Sequence, residues 1–317
     1  MLFGVGIELG SVALLLVSRA IAGIAAGNAA IAQATIADVT APKDRAKSFG
    51  LIGAAFGIGF ILGPLLAGWI ASVSADPAMP MWVAGGLGAL NVLFVAVFLP
   101  ETNKGAQTSH AGFTLWKGVR NIAMAFREAE TRPLFIASFL YLLGFGFLPP
   151  FYGVFLVNQW GFDAAQVGMA FAAVGVCVSF AQLVVLRLLT RRFNERQILR
   201  FSLALVAFSM ITFSFMPSVA LVIAMIPLTS IPQGLSMANM AALISRSVPA
   251  NRQGVAMGIN GSLMALGSAL APAVGGGASA IANIHMPFVL GGLCIAVAWF
   301  VLFLVAVPRQ KAAEAAE

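Results

Sequence analysis

The chain has 317 residues, of which 60% are hydrophobic and only 9% are charged. A soluble domain carries about 25% charged residues, so this composition excludes a water-covered globule and predicts an all-α integral membrane protein. The formal net charge of +7 does not indicate a nucleic-acid partner, because the basic residues recur in short segments between long apolar runs. The partner that this composition predicts is the lipid bilayer.

Nine apolar runs reach the length of about 20 residues that a bilayer-crossing helix needs. They lie at 12–37, 46–72, 81–99, 133–157, 166–189, 197–216, 218–245, 253–281 and 286–307. The apolar residues 1–9 are too few to cross, and we interpret them as the end of a span whose beginning lies before Met1. The sequence therefore predicts nine full transmembrane helices plus a stub.

Basic residues mark one side of the predicted spans. Every Lys and Arg except Arg19 lies in the connecting segments 38–47, 100–132, 187–200, 246–252 and 308–317. The alternate connections contain no basic residue. Positive charge is retained on the cytoplasmic side, so we expect these segments and the C-terminus to face the cytoplasm.

The long connection 100–132 divides the spans into two sets. Apolar residues recur in it at helical spacing beside basic ones, at Leu115, Val119, Ile122 and Phe126. This pattern favours an amphipathic helix on the inner membrane surface; the alternative is a solvated linker. We predict four parts: a partial N-terminal half at 1–99, this cytoplasmic linker, a complete C-terminal half at 133–307 and a cytoplasmic tail at 308–317.

Two charged residues lie inside or beside apolar runs. Arg19 is within the first full span, where an arginine costs about 2.5–3.5 kcal/mol near the bilayer centre, and such a residue indicates function. The alternative is an arginine that snorkels to the outer surface. Glu8, near the outer end of the stub, is the other acid in an apolar run. It is a candidate proton carrier or, alternatively, an acid at an exposed helix end.

Residues 50–68 combine a helical length with six glycines and one proline. Glycine costs about 0.5–1 kcal/mol in a helix interior and proline about 3 kcal/mol, so these residues need a purpose. At helical spacing, one stripe collects Gly50, Gly53, Gly57, Pro64 and Gly68. Gly59 and Gly63 lie off that stripe. A surface without side chains lets another helix approach closely, which predicts a helix-packing surface.

The same pattern returns 208 residues later in the chain. That offset pairs Gly50 with Gly258, Gly53 with Gly261, Gly59 with Gly267, Pro64 with Pro272 and Gly68 with Gly276. Parallel repeats are an architecture of transporters, and they predict two six-helix halves. Compared with the second half, the first half lacks about 75–80 residues, so we expect an N-terminally truncated chain.

Three stretches carry a resemblance to a known family. They are LLLVSRAIAGIAAG at 14–27, ATIADVTAPKDRAKSFG at 34–50, and the series Gly50-x8-Gly59-x3-Gly63-Pro64-x2-Ala67-Gly68. On these stretches the chain resembles the major facilitator superfamily, and within it the twelve-span drug/proton antiporters of the tetracycline-resistance type. It departs from them in two places. Ala67 stands where the antiporter motif has glycine, and the Gly-Asp-Arg-rich loop between the second and third helices would lie before Met1.

The resemblance implies a proton-coupling role for Arg19, and it implies an antiporter motif formed by Gly50, Gly59, Gly63, Pro64 and Gly68. Arginine itself stays protonated, so we expect it to act on a nearby carboxylate or on the substrate. Asp38 and Arg45, which match the exporters, flank a cytoplasmic turn. An acid at a helix C-terminus is unfavourable unless it is paired, which favours a gate salt bridge over a solvated turn residue.

Polar residues inside apolar spans are the best markers of a substrate path between the two halves. The amide candidates are Asn28, Gln33, Gln182, Gln233, Asn239 and Asn260, and the aromatic candidates are Tyr141, Phe145, Phe151 and Tyr152. Each amide has an alternative interpretation as a hydrogen bond between helices. As a set, amides between aromatic walls suit small, partly apolar compounds.

The chain contains no motif that indicates an enzyme, a cofactor or a metal site. HExxH, a cysteine cluster, a P-loop and GxSxG are absent from the sequence, and its two histidines lie on opposite sides of the predicted membrane. Cys177 and Cys294 lie in separate spans, and we do not expect a disulfide.

We therefore expect a monomeric, proton-coupled exporter of small, partly apolar compounds such as drugs or tetracycline-like antibiotics. One alternative is a metabolite facilitator of the same superfamily, which needs no antiport of protons. The other is a truncated remnant that does not transport.

Overall fold

The computed structural model describes residues 1–24, 35, 45–99, 131–248 and 253–304. Within these ranges the regular structure is helical: α1 (Leu2–Glu8), α2 (Val12–Ile24), α3 (Arg45–Val73), α4 (Met79–Phe98), α5 (Arg132–Gly146), α6 (Leu148–Trp160), α7 (Ala164–Phe180), α8 (Leu186–Leu189), α9 (Glu195–Phe213), α10 (Val219–Arg246), α11 (Gln253–Ile281) and α12 (Met286–Leu304). A π-helical turn at Ala181–Val185 joins α7 to α8. The predicted all-α fold is confirmed.

Seven helical segments of the described chain are long and apolar enough to cross a membrane. They are Met79–Phe98, Arg132–Trp160, Ala164–Leu189, Glu195–Phe213, Val219–Arg246, Val255–Ile281 and Met286–Phe303. Each of them coincides with a predicted run. The two other predicted runs lie partly in α2 and α3, whose described apolar parts, Val12–Ala22 and Ile61–Val73, are shorter.

The span Arg132–Trp160 consists of two helices, and the break has a local cause. Pro149 and Pro150 have no N–H to donate to the carbonyls four residues earlier, those of Phe145 and Gly146. Both prolines instead occupy the first turn of α6, where N–H groups have no partner within the helix. α5 therefore ends at Gly146, and α6 begins two residues later.

The chain divides into two compact units. Of the described residues, the first unit takes those up to Leu99 together with Asp163–Ala172, and the second unit takes the others. Nearly all of the predicted connection 100–132 lies outside the described residues. The division into an N-terminal and a C-terminal half therefore stays a prediction.

In the first unit, glycines bring α1 against its neighbours. A Cβ built on Gly4 would lie 3.2 Å from the indole ring of Trp82 in α4. A Cβ built on Gly6 would lie 2.8 Å from the side chain of Leu15 in α2. All 20 residues of α4 are described and none is buried. Apart from the face that contacts α1, the apolar side chains of this helix are mostly exposed within the described structure.

In the second unit, α5 packs closely against α11 and α12. A Cβ built on Gly144 would lie 2.6 Å from the carbonyl oxygen of Gly291, and one on Gly146 would lie 3.0 Å from the carbonyl oxygen of Gly267. Three phenylalanine rings from α6, α9 and α12 fill the space beside this contact, with centroids 4.8–5.4 Å apart in edge-to-face geometry, at Phe155, Phe213 and Phe288. Glycine contacts and interlocked rings together form a dense interior.

Candidate functional site

The two predicted proton-coupling residues lie on short neighbouring helices of the first unit. Arg19, in α2, places its guanidinium carbon 4.5 Å from the ring centroid of Phe3 in α1. A cation over an aromatic face gains about 0.5–1 kcal/mol at an exposed site. Glu8, the last residue of α1, accepts a hydrogen bond of 2.7 Å from the indole Nε1–H of Trp82 in α4. Each charged group therefore has a partner on an adjacent helix.

The structure does not bring Arg19 and Glu8 together as an ion pair. Among the described side chains, the salt bridge found joins Arg246 to Glu195, with 2.9 Å between nitrogen and oxygen. Arg19 and Glu8 are both exposed. The partners that they do have, Phe3 and Trp82, were not singled out from the sequence. The role of Arg19 and Glu8 in proton coupling stays a prediction.

Gly68 of α3 meets Gly168 of α7 backbone to backbone within the first unit. A Cβ built on Gly68 would lie 2.8 Å from the carbonyl oxygen of Ala164 and 2.9 Å from the Cα of Gly168. A Cβ built on Gly168 would lie 2.7 Å from the carbonyl oxygen of Pro64. Backbone atoms cannot move aside as the end of a flexible side chain can, so this contact requires glycine on both helices.

Sequence analysis did not identify Gly168 as the partner of Gly68. The signal was present as Ala164-x3-Gly168-x3-Ala172, which is the small-x3-small spacing typical of packed membrane helices. Such spacing is common in apolar helices, and it does not say which other helix will meet it. The partner follows only from the three-dimensional arrangement.

The other residues of the glycine motif behave differently. A Cβ built on Gly59 or on Gly63 would meet no atom within 4 Å. Packing against the described residues therefore accounts for Gly68 but not for Gly59 or Gly63, while the surroundings of Gly50 lie outside the described residues. Pro64 lies inside α3, which continues for 29 residues without a break. Neighbouring groups can satisfy a carbonyl freed by proline inside a membrane helix.

The repeated motif in α11 makes its contacts at other positions. A Cβ built on Gly258, Gly261 or Gly276 would meet no atom within 4 Å. In contrast, one on Gly267 would lie 2.9 Å from the backbone nitrogen of Leu143, and one on Gly275 would lie 2.5 Å from the ring of Phe151. The two copies of the motif thus share a spacing in sequence but pack through different glycines.

Two of the polar pairs that cross between helices inside the second unit contain residues predicted to line the substrate path. The Nε2–H of Gln233 in α10 donates to the hydroxyl of Tyr141 in α5 at 2.9 Å. The hydroxyl of Ser138 in α5 donates to Oδ1 of Asn260 in α11 at 2.6 Å. Tyr141 and Gln233 are almost completely buried, at 1% and 5% exposure. These contacts match the alternative of hydrogen bonds between helices, and contact with substrate stays a prediction.

Gln233 keeps one unused polar atom in this interior. Its Oε1 is buried and has no hydrogen-bond partner in the described structure. A buried acceptor without a partner costs about 1–3 kcal/mol, so such a position is a candidate for ligand or water contact. Pro232 directly precedes it inside α10, and Pro227 lies one turn earlier. The sequence analysis included Gln233 and Tyr141 but not Ser138, whose small hydroxyl carries no distinguishing pattern.

The remaining candidate residues of the second unit are spread over several helices. Asn239 donates from Nδ2 to the carbonyl of Leu235 on its own helix at 2.7 Å and is buried. Tyr152 is buried with its ring 5.7 Å from that of Phe213. Gln182 is half-buried in the π-helical turn, and Phe145 is half-buried in α5. π turns recur at functional sites, which keeps Gln182 of interest.

The candidates Asn28, Gln33 and Asp38 lie outside the described residues. Arg45 is the first residue of α3, but its side chain is not described either. The proposed Asp38–Arg45 gate therefore stays a prediction. Among the described residues, no group of three or more His, Cys, Asp or Glu is arranged to hold a metal ion.

Comparison with protein families assigns this set of helices to a known group. The pattern of the family described as "Major Facilitator Superfamily" matches residues 1–134 and 134–317, which together cover the chain. The Escherichia coli protein named "Tetracycline resistance protein, class C" is 28% identical over 265 residues, covering 82% of this chain and 65% of its own length. The chain thus spans about two thirds of that relative.

Two further similarities extend over most of the chain. "Multidrug resistance protein 1" of Bacillus subtilis (strain 168) is 24% identical over 308 residues, covering 94% of this chain and 75% of its own length. The crystal structure of the human organic anion transporter MFSD10 (TETRAN) superimposes with a TM-score of 0.69 and 25% identity, covering 95% of this chain and 73% of that one.

Proposed function

This chain belongs to the Major Facilitator Superfamily, and we propose that it is a proton-coupled exporter of small, partly apolar compounds. Relatives named as tetracycline and multidrug resistance proteins support this substrate class. The proposed location is the cytoplasmic membrane of a bacterium, with the C-terminus inside. The transported compounds are proposed to be drugs or tetracycline-like antibiotics.

The observation that carries the proposal is the glycine–proline motif of α3 with its backbone contact to α7. A Cβ at either Gly68 or Gly168 would lie under 3.0 Å from backbone atoms of the other helix. Helices this close leave no room for a water molecule between them at this point, and we infer that the contact forms part of a seal against water and protons. An exporter that uses a proton gradient needs such a seal, because a leak would dissipate the gradient that drives it.

Substrate contact is proposed for the half-buried polar and aromatic residues of the second unit. Asn260, Gln182 and Phe145 are partly exposed, unlike Tyr141 and Gln233. A few amides among aromatic and aliphatic side chains suit a compound with one polar edge and a large apolar body. Tyr141 and Gln233 are buried and joined by their mutual hydrogen bond, and Gln233 keeps its Oε1 as a further candidate for ligand contact.

The test is efflux of a fluorescent drug from cells or vesicles that contain the chain, with an imposed pH gradient. Efflux should rise with the gradient and collapse when a protonophore removes it. Efflux that ignores the gradient would contradict proton antiport and favour a facilitator. Absence of efflux for every compound tried, with the chain present in the membrane, would contradict export itself.

A second candidate is export of organic anions. Arg19 is a cation within a predicted span, and a fixed positive charge at that depth would attract an anionic substrate. The structural similarity to a human organic anion transporter supports this candidate. Parallel assays with an anionic dye and a cationic dye in the same vesicles separate the two, since only the second candidate favours the anion.

A further inference from the structure

Seven described arginines lie on the predicted cytoplasmic side of the second unit, and three of them, in α9 and α10, are engaged by the protein. Arg200 in α9 donates from Nη2 to the carbonyl oxygens of Leu302 and Phe303, at 3.1 and 3.0 Å. Arg196, one turn earlier, donates to the same Leu302 oxygen at 3.3 Å. These oxygens end α12, where a positive charge also complements the helix dipole. Arg246, at the end of α10, pairs with Glu195 at 2.9 Å.

Three others form a separate group, the loop arginines Arg187, Arg191 and Arg192. All three are exposed. None of their guanidinium groups makes a hydrogen bond, ion pair or ring contact with another described residue. Glu195 is the one acid near them within the described ranges, and it is already paired with Arg246. Three positive charges therefore stand side by side without a counter-charge in this part of the structure.

The backbone keeps the loop arginines at the end of a continuous helical path. The amides of Arg192 and Phe193 donate to the carbonyl of Leu189, at 3.0 and 2.8 Å, so the helical turn continues past α8. Asn194 then starts α9 with a capping box: its Oδ1 accepts from the amide of Gln197 at 2.9 Å. The three guanidinium groups are consequently held within about two helical turns of one another.

An apolar stripe on the outside of α7 and α8 leads to these arginines. Four apolar residues recur every four positions and are 41–56% exposed, at Val176, Phe180, Val184 and Leu188. A spacing of four drifts around an α-helix of 3.6 residues per turn, but the wider π turn at Ala181–Val185 offsets that drift. Arg191 and Arg192 follow Leu188 by three and four residues, which is the same face.

We propose that the loop arginines and this stripe bind an anionic phospholipid. The phosphate is held by Arg187, Arg191 and Arg192, because a guanidinium offers parallel N–H donors that match two phosphate oxygens. One acyl chain lies along the apolar stripe, which a free phosphate cannot use. Within the described structure, Arg196, Arg200 and Arg246 are instead occupied by protein groups. The proposal depends on the membrane span and not on the transport function proposed above.

The experiment is a lipid titration of the purified full chain in neutral detergent, followed by native mass spectrometry. Phosphatidylglycerol and phosphatidylcholine with identical acyl chains are compared, so that only the headgroup charge differs. Wild-type protein should bind phosphatidylglycerol more tightly. The variant R187Q/R191Q/R192Q should lose this preference, and each single change should weaken it about fivefold.

The matched control is R246Q, which removes one arginine from the same end of the unit. Because Arg246 is paired with Glu195, this variant should keep the preference for phosphatidylglycerol. An equal loss in R246Q would show a general charge effect and overturn the assigned site. Retention of the preference in the triple glutamine variant would overturn it as well.

Two further arms keep the test decisive. A variant with lysine at all three positions preserves the charge and should retain most of the preference, which protects the result if the glutamine variant is poorly folded. Loss of the preference in a monodisperse lysine variant would overturn the proposal. Soluble glycerol phosphate should not compete with the lipid; full competition would assign the arginines to a free phosphate ligand instead.

Discussion

Replacing Gly68 by alanine is expected to destabilise the first unit, because the new methyl group has no space. It would lie 2.8 Å from the Ala164 carbonyl oxygen and 2.9 Å from the Gly168 Cα. Comfortable separations between such atoms are about 3.5–4.0 Å, so the two helices must move apart by roughly 1 Å. Overpacking costs about 1–3 kcal/mol, more than the roughly 0.5–1 kcal/mol that alanine gains over glycine in a helix.

The matched control is Gly63→Ala, which makes the same change in the same helix. A Cβ at Gly63 meets no atom within 4 Å, so this variant should be at least as stable as the wild type. Thermal unfolding of the purified proteins in neutral detergent, followed by tryptophan fluorescence, measures the difference. We expect a midpoint lower by several degrees for Gly68→Ala alone.

The partner position gives a second, independent arm. Gly168→Ala should be destabilising too, because its methyl would lie 2.7 Å from the Pro64 carbonyl oxygen. Once one methyl group has separated the helices, the second methyl group causes less further destabilisation. The double variant should therefore lose less unfolding free energy than the sum of the two single losses. Equal stability of Gly68→Ala and Gly63→Ala, or strict additivity of the pair, would refute the reasoning.

The remaining predictions concern the charged and polar side chains of the two units. Arg19→Ala should abolish gradient-driven efflux while the protein remains in the membrane, and normal resistance in cells that carry it would contradict the coupling role. Phe3→Ala, which removes only the ring under the guanidinium, should leave coupling intact. Tyr141→Phe should reduce stability by about 0.6–2 kcal/mol because Gln233 loses its acceptor. Adding Gln233→Leu to this variant should restore part of the lost stability. A double-mutant cycle of unfolding free energies measures the coupling between Tyr141 and Gln233, and a coupling energy of zero would show that their hydrogen bond does not contribute to stability.

The transmembrane helices could be predicted from the sequence because lipid leaves the backbone no partner but itself. An apolar run of sufficient length must then form a helix whatever its intrinsic propensity, which is why α11 is continuous despite its glycines and Pro272. The same argument accounts for α3, with six glycines and Pro64 in residues 50–68. The proline pair Pro149 and Pro150 was also visible in the sequence and could have predicted the break between α5 and α6. The predicted run 133–157 nevertheless treated this segment as one helix.

Membership in the superfamily could also be predicted from the sequence, because the repeat and the glycine–proline spacing are visible in the linear order of residues. The contacts of those glycines were not. Gly59, Gly63 and Gly68 look alike in sequence, yet within the described part of the chain only Gly68 meets the backbone of another helix, because that depends on which helix lies beside it. Tyr141 and Gln233 are 92 residues apart, and their bond exists only once α5 and α10 are packed. Local hydrophobicity decides where helices form in a membrane, whereas partners are decided by the geometry between helices, which no single helix encodes.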